Sequence, residues 1–469
     1  MFRKFVNFVK GWWNNMLDYN KIVRDFELDS QTSDIMLKAI QTWTNIFNCN
    51  EPWIDKNTMS LHVAKTICEK VSKAVTIEYK SVCSDEYING IYQKFLRKIR
   101  TYTEYMIGKS SIFFRPYYSN GKIKISVIQA GKFIPIKFSD DGDLLGVVLI
   151  DQFTVGKKIY TRLEYDNLTD KGMSFKNIAY EGNIDGQVLD RKIPLSSVEK
   201  WKELSNEGII EGVDRIIGGF ATMPNANTID NSSPMGQSIF HNAIGTLEQI
   251  DKQFSRTIWE YEGSELAIDI DESLISYDEN GNLKYPKGKE RLYRKLVFDE
   301  VKDNNYNIFS PEIRDTSLFN GLNELLRQAE SECQLAFGTI SKIETIAKTA
   351  TEIKTSKQDY YVTVSDIQGV MENALNDLIY GIYVLCRLYN LPVDVDYTVR
   401  HDWDDSILVD KESMQKTSMI ELQSDTIDKV QYFIETRGYT EEEAIEFCKR
   451  MNERKKIIGE IEQEEDLEE

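Results

Sequence analysis

The sequence has few of the residues from which catalytic and metal sites are built. Histidine occurs only three times in 469 residues, at isolated positions, where we expect a structural or surface role rather than that of a base or a ligand. The six cysteines are scattered without a CxxC pair or close spacing, which argues against a disulfide framework and a zinc site. We therefore expect a protein of a reducing compartment, with no metal and no cofactor.

Enzyme motifs are also lacking. The sequence has no HExxH, no GxSxG and no dinucleotide-binding glycine pattern after a predicted strand. The segment IGKSS, residues 107–111, ends like a phosphate-binding loop, but Thr103 stands where that loop requires its first glycine. Without this glycine the backbone amides cannot wrap around a phosphate. The sequence therefore predicts that the protein is not an enzyme.

A long apolar run and an excess of positive charge are absent too. No stretch of 18 or more apolar residues occurs, so no transmembrane helix is predicted. The formal net charge is −19, and a surface of this sign repels a phosphate backbone, so the protein should not clamp DNA. Residues 1–17 have the pattern of a basic amphipathic helix that could rest on a membrane, but packing against the rest of the protein is the preferred interpretation.

The pattern of apolar residues predicts an α+β protein. Residues 30–115 are mostly of helical periodicity. A β-rich region follows, in which apolar and polar residues alternate between turns at residues 120–121, 141–142 and 156–157, each with a glycine. Such turns are typical of antiparallel hairpins. Shorter strands continue over residues 172–222.

Two long helices, each with one apolar side, flank a small β-rich insertion. The first follows Pro234 and Gly236, and the second begins near Asp315. Their apolar stripes contain Phe240, Ile244, Leu247, Phe254 and Ile258 in the first helix, and Leu318, Leu322 and Leu325 in the second. A third helix is predicted from Ala350 to about Tyr389, after a capping box formed by Thr349 and Glu352, with bends at Gly369 and Gly381. A second capping pattern, from Thr440 to Glu443, begins a helix near the C-terminus.

The insertion carries a hairpin signal, Asn280-Gly281, and a basic cluster in the segment KYPKGKERLYRK. The cluster consists of Lys284, Lys287, Lys289, Arg291, Arg294 and Lys295. Alone it could bind nucleic acid. The acidic balance of the rest of the chain favours a solvated hairpin or a docking surface for an acidic partner.

Several segments carry a resemblance to a known family. MPNANTIDNSSPMGQSIFHNAIGTLEQID, FNGLNELLRQAESECQLAFGTIS and KTATEIKTSKQDYYVTV resemble portal proteins of long-tailed double-stranded DNA bacteriophages. GKSSIFFRPYYSNGKIKISVIQAGKFIPIKFSDDGDLLGVVLID and RGYTEEEAIEFCKRM do so as well. The join of Pro234, Gly236, Ser238 and Phe240 to a long helix is the most specific of these features.

The resemblance implies a structural protein that forms a twelve-membered ring at one vertex of the capsid, through which DNA is packaged and later ejected. It implies a portal fold with these parts: a wing (residues 1–234), a stem of two helices (235–263 and 314–338), a β-rich clip (264–313), a tunnel loop (339–349), a long kinked tunnel helix with a return strand in the wing (350–400), and a helical crown (401–469). Assembly would take place in the host cytoplasm, and the protein would end in the virion.

The resemblance also implies partners and candidate contact residues. The partners are further copies of the chain, double-stranded DNA bound without sequence preference, the terminase large subunit, a head-tail adaptor, and the major capsid and scaffolding proteins. No membrane is among them. Lys342 and Lys348 in the tunnel loop are candidates to contact DNA phosphate, the alternative being that they keep the loop solvated. The basic cluster is the candidate docking surface for the motor and the adaptor.

Three other functions are considered at this point. The chain could be a different ring-forming head-completion or connector protein of a phage or a phage-like particle. A nucleic-acid-processing enzyme is disfavoured, because neither clustered carboxylates nor a phosphate loop is present. A scaffold resting on a membrane through its N-terminal helix is a further alternative.

Overall fold

The computed structural model describes residues 18–28, 32–77, 79–231, 233–271, 293–296, 306–342, 350–403, 418–424 and 426–465. The chain divides into two compact units. One consists of Met1–Thr76 and Lys80–His401, and the other of Ile77–Tyr79 and Asp402–Glu469. Helices and mainly antiparallel sheets occupy separate stretches of the chain, which is the predicted α+β class.

Five helices open the described part of the first unit. They are α1 (Tyr19–Phe26), α2 (Asp34–Phe47), α3 (Val63–Val75), α4 (Glu86–Leu96) and α5 (Ile99–Lys109), with strand β1 (Lys80–Cys83) before α4. Side-chain caps fix their starts: Ser33 accepts a hydrogen bond from the backbone of Met36, and Asp85 accepts one from Ile88. Such caps satisfy amides that have no partner within the helix.

Nine strands follow and form two sheets. They are β2 (Ser111–Ser119), β3 (Lys122–Gln129), β4 (Phe133–Phe138), β5 (Leu144–Val155), β6 (Lys158–Thr169), β7 (Gly172–Asn183), β8 (Arg191–Ile193), β9 (Glu207–Glu211) and β10 (Gly219–Thr222). One sheet has the order β10-β2-β3, and the other β4-β5-β6-β7-β8 with β9 also paired to β7. The predicted turns at 120–121, 141–142 and 156–157 join β2 to β3, β4 to β5 and β5 to β6, which confirms them.

The larger sheet has a core on one face. Ile22 and Phe26 of α1 pack against apolar residues of β4, β5, β6 and β7. Trp201, which follows β8, belongs to a smaller cluster with Ala179. Its indole nitrogen donates to Asp151 at 2.9 Å. The sheet is therefore covered by α1 and by the chain that leaves β8.

The two predicted long helices are present, but each is shorter than expected. They are α6 (Ile244–Gly263) and α7 (Asp315–Glu332). Residues before Ile244 do not join α6 because their amides have partners elsewhere. Gly236 donates to Thr222 Oγ1 at 2.9 Å, Gln237 to Asn225 Oδ1 at 2.6 Å, and Ile239 to the carbonyl of Ile107 at 3.1 Å.

In the described part of the insertion between α6 and α7, the chain forms three short strands. They are β11 (Ala267–Asp271), β12 (Tyr293–Leu296) and β13 (Tyr306–Phe309), in the order β12-β11-β13. Strand β11 is parallel to β12 and antiparallel to β13. The predicted hairpin at Asn280-Gly281 lies outside the described residues.

Helix α8 (Ala350–Leu388) has 39 residues, which corresponds to a length of about 58 Å. It confirms the predicted third helix. It packs against β10 so closely that a Cβ added at Gly219 would lie 1.9 Å from the carbonyl oxygen of Ala374. Only glycine fits there. The bends expected at Gly369 and Gly381 stay a prediction. Strand β14 (Val399–Asp402) then pairs with β1.

The second unit contains α9 (Lys429–Arg437) and α10 (Glu441–Glu465). Thr440 and Glu443 form the predicted capping box: the Thr440 amide donates to Glu443 Oε2 at 3.0 Å, and the Glu443 amide donates to Thr440 Oγ1 at 3.3 Å. Phe433 packs edge-on against Phe447 with ring centroids 4.9 Å apart. In the described part of the chain, no helix combines the length and apolar character that crossing a bilayer requires.

Candidate functional site

The candidate site is the pair of helices α6 and α7 together with residues 333–342, which follow α7. The N-terminal half of α6 is fastened to the loop between α2 and α3. Asp251 accepts hydrogen bonds from Trp53 Nε1 and from the amide of Leu61, both at 2.8 Å, and Ser255 Oγ accepts one from the amide of Met59 at 2.8 Å. Burial raises the pKa of Asp251. These hydrogen bonds to residues 53–61 therefore fix the position of this part of α6 within the first unit.

The predicted apolar stripes lie partly between α6 and α7. Leu247 and Leu322 are buried, and Phe240 is fully buried before α6 begins. The other members of the stripes are half-buried: Ile244, Phe254, Ile258, Leu318 and Leu325. Gln253 Nε2 also donates to the carbonyl of Leu318 at 3.3 Å. In one copy of the chain, the pair of helices thus leaves much of its apolar surface incompletely covered.

An ion pair joins the two helices beside the insertion. Arg314 donates to both carboxylate oxygens of Glu260, from Nε at 2.9 Å and from Nη2 at 2.7 Å. Hydrogen bonds and charge from Arg314 lower the pKa of Glu260. The two-pronged geometry fixes the relative position of the chain where it leaves α6 and where it enters α7.

Large apolar side chains are exposed around this ion pair. Trp259 is 66% exposed, Ile308 59% and Phe319 47%. Tyr261, Leu266 and Ile313 are exposed as well. The rings of Tyr261 and Phe319 are 6.5 Å apart. We call this set the distal apolar patch: Trp259, Tyr261, Leu266, Ile308, Ile313 and Phe319.

A buried carboxylate of α7 organises the segment that follows it. Glu330 is fully buried and accepts four hydrogen bonds. Its Oε1 accepts from the amides of Ile340 at 2.6 Å and Ser341 at 2.9 Å. Its Oε2 accepts from the amide of Gly338 at 3.1 Å and from Ser341 Oγ at 2.8 Å. Asn323 Oδ1, about two turns earlier on α7, accepts from the amide of Lys342 at 2.7 Å.

Sequence reasoning did not find this anchor, although a signal was present. Glu330 lies four residues after Leu326 and three before Cys333, at helical spacing within an apolar stripe. An acidic residue at such a position must have partners, because an isolated buried charge is very costly. In the described residues no cation is paired with Glu330, so backbone amides and a hydroxyl supply the compensation.

The structure describes only some of the residues predicted to contact partners. The amide of Lys342 is bound by Asn323 and its side chain is exposed, while Lys348 lies outside the described residues. Arg294 and Lys295 lie in β12, where they are in register with Asp269 and Ile270 of β11. The remaining members of the basic cluster, Lys284, Lys287, Lys289 and Arg291, also lie outside them.

The lysine of the rejected phosphate-loop segment is buried. Lys109 Nζ donates to Gln129 Oε1 at 2.8 Å and lies 5.1 Å from the ring centre of Phe47. Burial lowers the pKa of Lys109 to about 8. Among the described residues, no group of three or more His, Cys, Asp or Glu could hold a metal ion, and all six cysteines are free thiols.

Comparison with known families identifies the class of protein. Residues 68–429, more than half of the chain, match a family of phage portal proteins. The chain therefore belongs to the family described as phage portal protein, SPP1 Gp6-like, and the resemblance found in the sequence is confirmed. The family is structural rather than catalytic, and it implies a ring assembly associated with the virion capsid. No curated protein matches the chain.

Proposed function

We propose that twelve copies of the chain form a ring at one capsid vertex and that the ring is the channel for DNA during packaging and ejection. The ring would also be the docking site for the terminase large subunit and the head-tail adaptor, and it would contact the major capsid and scaffolding proteins. The observation that carries this proposal is the distal apolar patch beside the Glu260–Arg314 ion pair.

The patch supports self-association because several large apolar side chains are exposed in the single chain, and exposed apolar surface of this kind often marks an interaction site. Tryptophan is among the residues that contribute most to binding energy when buried at an interface, and Trp259 is two-thirds exposed in the single chain. In a closed ring each copy offers one surface to the neighbour on one side and a complementary surface to the other. A neighbouring copy that covers Trp259 and Phe319 would remove this apolar surface from water.

The parts of the portal fold would then be distributed as follows. Residues 235–263 and 314–338, which contain α6 and α7, would be the stem, and the insertion at 264–313 would be the clip. Residues 1–234 would form the wing, joined by residues 350–400, and residues 401–469 the crown. Residues 339–349 would be the tunnel loop, whose start is held by Glu330 and Asn323.

DNA would move through this channel without being held tightly. A chain with a net charge of −19 gives the ring a wall that repels phosphate over much of its surface. Lys342 and Lys348 would contact phosphates and centre the duplex, since phosphate contacts position DNA without reading its sequence. The energy for packaging would come from the terminase, and the basic cluster of the clip would contact it.

Native mass spectrometry and class-averaged electron microscopy of the purified protein test the proposal. We expect rings of about twelve copies with a central hole. Trp259→Glu should shift the population to monomers, whereas Val155→Glu, at an exposed residue of the β5–β6 turn, should leave the rings intact. A wild-type protein that stays monomeric at high concentration would contradict the proposal.

The alternative of another ring-forming connector is distinguished by a packaging assay. Complementation of a particle that lacks its portal should restore DNA packaging with the wild-type chain. Substitution of Lys342 and Lys348 by alanine should lower packaged DNA without changing ring formation. Rings that form but never support packaging would favour a connector of a different kind.

A further inference from the structure

A large groove lies between helix α4 and strand β3, away from the helices α6 and α7. Its volume is about 1340 Å³, and residues 391–394 close one side of it. This exceeds the 300–1,000 Å³ that is usual for sites of small ligands. Strand β3 is an edge strand, since the sheet order is β10-β2-β3. The groove therefore exposes the unpaired edge of a sheet.

Four lysines line the groove from both of its walls. Lys94 lies on α4 and Lys98 in the turn that follows it, and Lys122 and Lys124 are two residues apart on β3. All four are exposed, and none of them forms an ion pair with another described residue. Such a group of free positive charges is unusual in a chain of net charge −19, and it complements a negatively charged partner.

The space between the lysines is apolar. Ile91, Phe95, Ile123 and Ile125 line it, and Phe95 and Ile123 are buried. Three carboxylates also line the groove, close to the start of α4. Asp85 is buried and accepts hydrogen bonds from the amides of Ile88 and Asp394, whereas the side chains of Glu86 and Asp394 are exposed. A partner that fits the lysine part would combine negative charges with apolar side chains.

The edge of β3 has the polarity that a further strand requires. Ser119 lies opposite Lys122 across the two-residue turn, which makes them a hydrogen-bonded pair, so Ile123, opposite Tyr118, has its backbone amide and carbonyl directed away from β2. Along an antiparallel strand, the backbone groups of every second residue point to the same edge. The amide and carbonyl of Ile125 therefore face the same way, and in the described residues no backbone hydrogen bond engages them.

We propose that this groove binds an extended acidic segment of a partner protein, which adds to β3 as a further strand. Its backbone would pair with the edge at Ile125, its carboxylates would contact the four lysines, and alternate apolar side chains would occupy the space between them. Single-stranded nucleic acid is disfavoured as the occupant, because it is bound by stacking on exposed aromatic rings. Phe95 is buried and Tyr102 half-buried.

Fluorescence anisotropy with the full chain tests this proposal. The probe is a fluorescein-labelled ten-residue peptide of alternating glutamate and valine. Controls are the same peptide N-methylated at every second residue, its lysine-for-glutamate counterpart, and a ten-nucleotide oligothymidine. We expect saturable binding of the acidic peptide only, with N-methylation weakening it at least tenfold because the methyl groups remove the strand-pairing donors.

Variants locate the binding. Lys94→Glu combined with Lys122→Glu should weaken binding at least tenfold, whereas Lys157→Glu with Lys171→Glu, two exposed lysines outside the groove, should leave it unchanged. Binding of the N-methylated peptide is measured with the wild-type protein, so that result does not depend on the folding of a variant. The proposal is overturned if no peptide binds, if N-methylation has no effect, if both double variants behave alike, or if oligothymidine binds instead.

Discussion

Replacing Glu330 by glutamine should loosen residues 338–342 while leaving α6 and α7 folded. The amide oxygen of glutamine can keep the place of Oε1 and its bonds to Ile340 and Ser341. The NH2 group would then replace Oε2, where it faces the amide of Gly338 and the hydroxyl of Ser341. The amide of Gly338 then loses its acceptor and faces a donor, while the hydroxyl of Ser341 can only accept from the NH2 group, so two bonds to a carboxylate oxygen are lost.

The expected magnitude follows from these contacts. A hydrogen bond to a charged group contributes about 1.5–3 kcal/mol. Because residues 338–341 are only half-buried, water replaces part of each lost bond, and we expect a total loss of about 2 kcal/mol. At 1.4 kcal/mol for a factor of ten, this raises the equilibrium constant for local opening roughly 30-fold.

Hydrogen exchange measured by mass spectrometry on peptides covering residues 336–342 is the appropriate assay, since it reports local opening directly. Glu324→Gln is the matched control, because Glu324 lies on the same helix, is exposed and pairs only with Arg327 among the described residues. Exchange that accelerates less than threefold in Glu330→Gln, or equally in both variants, would refute the role of Glu330 as the anchor.

Three further predictions concern other parts of the molecule. Lys109→Met should raise the free energy of unfolding by about 2 kcal/mol at pH 7, measured by urea unfolding. Because the pKa of Lys109 is lowered, the wild type becomes more stable as pH rises from about 8 toward 10.5, so the advantage of the variant should shrink at pH 10. An advantage that does not change with pH would contradict this prediction. Gly236→Ala should lower the free energy of unfolding by about 3 kcal/mol or more, because the added Cβ would lie 1.8 Å from the carbonyl oxygen of Met223. Gly245→Ala is the control and should be tolerated, because open space surrounds that position. Equal urea midpoints of the two variants would refute this prediction. Arg314→Met should lower the Tm at pH 7, and this effect should shrink as pH falls from about 5 toward 2. The lowered pKa of Glu260 makes the ion pair fully stabilising above the ordinary glutamate pKa, and the stabilisation is lost as pH falls through the lowered pKa. An effect that does not change with pH would mean that lost packing of Arg314 is responsible.

Local signals in the sequence predicted the elements that depend on neighbouring residues. The turn glycines placed the hairpins of β2 to β6, and the capping pattern at Thr440 and Glu443 placed the start of α10. The predicted extent of α8 agrees with its observed bounds, whereas Thr349 of the predicted capping box lies outside the described residues. These features are fixed by hydrogen bonds and steric limits within a few residues, so the sequence states them directly.

Features that depend on distant residues were not predicted in the same way. The start of α6 at Ile244 rather than near 235 is decided by Thr222, Asn225 and Ile107, which bind the amides of the preceding residues. The role of Glu330 depends on a segment that returns to α7 from beyond its end. The groove beside β3 arises because α4 and residues 391–394, almost 300 residues apart in sequence, meet at one sheet edge. The apolar periodicity of a single segment does not indicate which distant residues it will contact, so these features could not be predicted from it.

The close approach of α8 to the smaller sheet has a mechanical consequence. Gly219 meets the carbonyl of Ala374, and a Cβ at Gly381 would lie 3.2 Å from the amide nitrogen of Gly218. At Gly219 the helix and the strand touch backbone to backbone, and at Gly381 the helix is in close contact with the backbone of Gly218 and the side chains of Pro116 and Ile217. A force applied to the N-terminal end of α8 should therefore pass into the sheet through a stiff joint, because tightly packed interiors are hardly compressible and transmit strain.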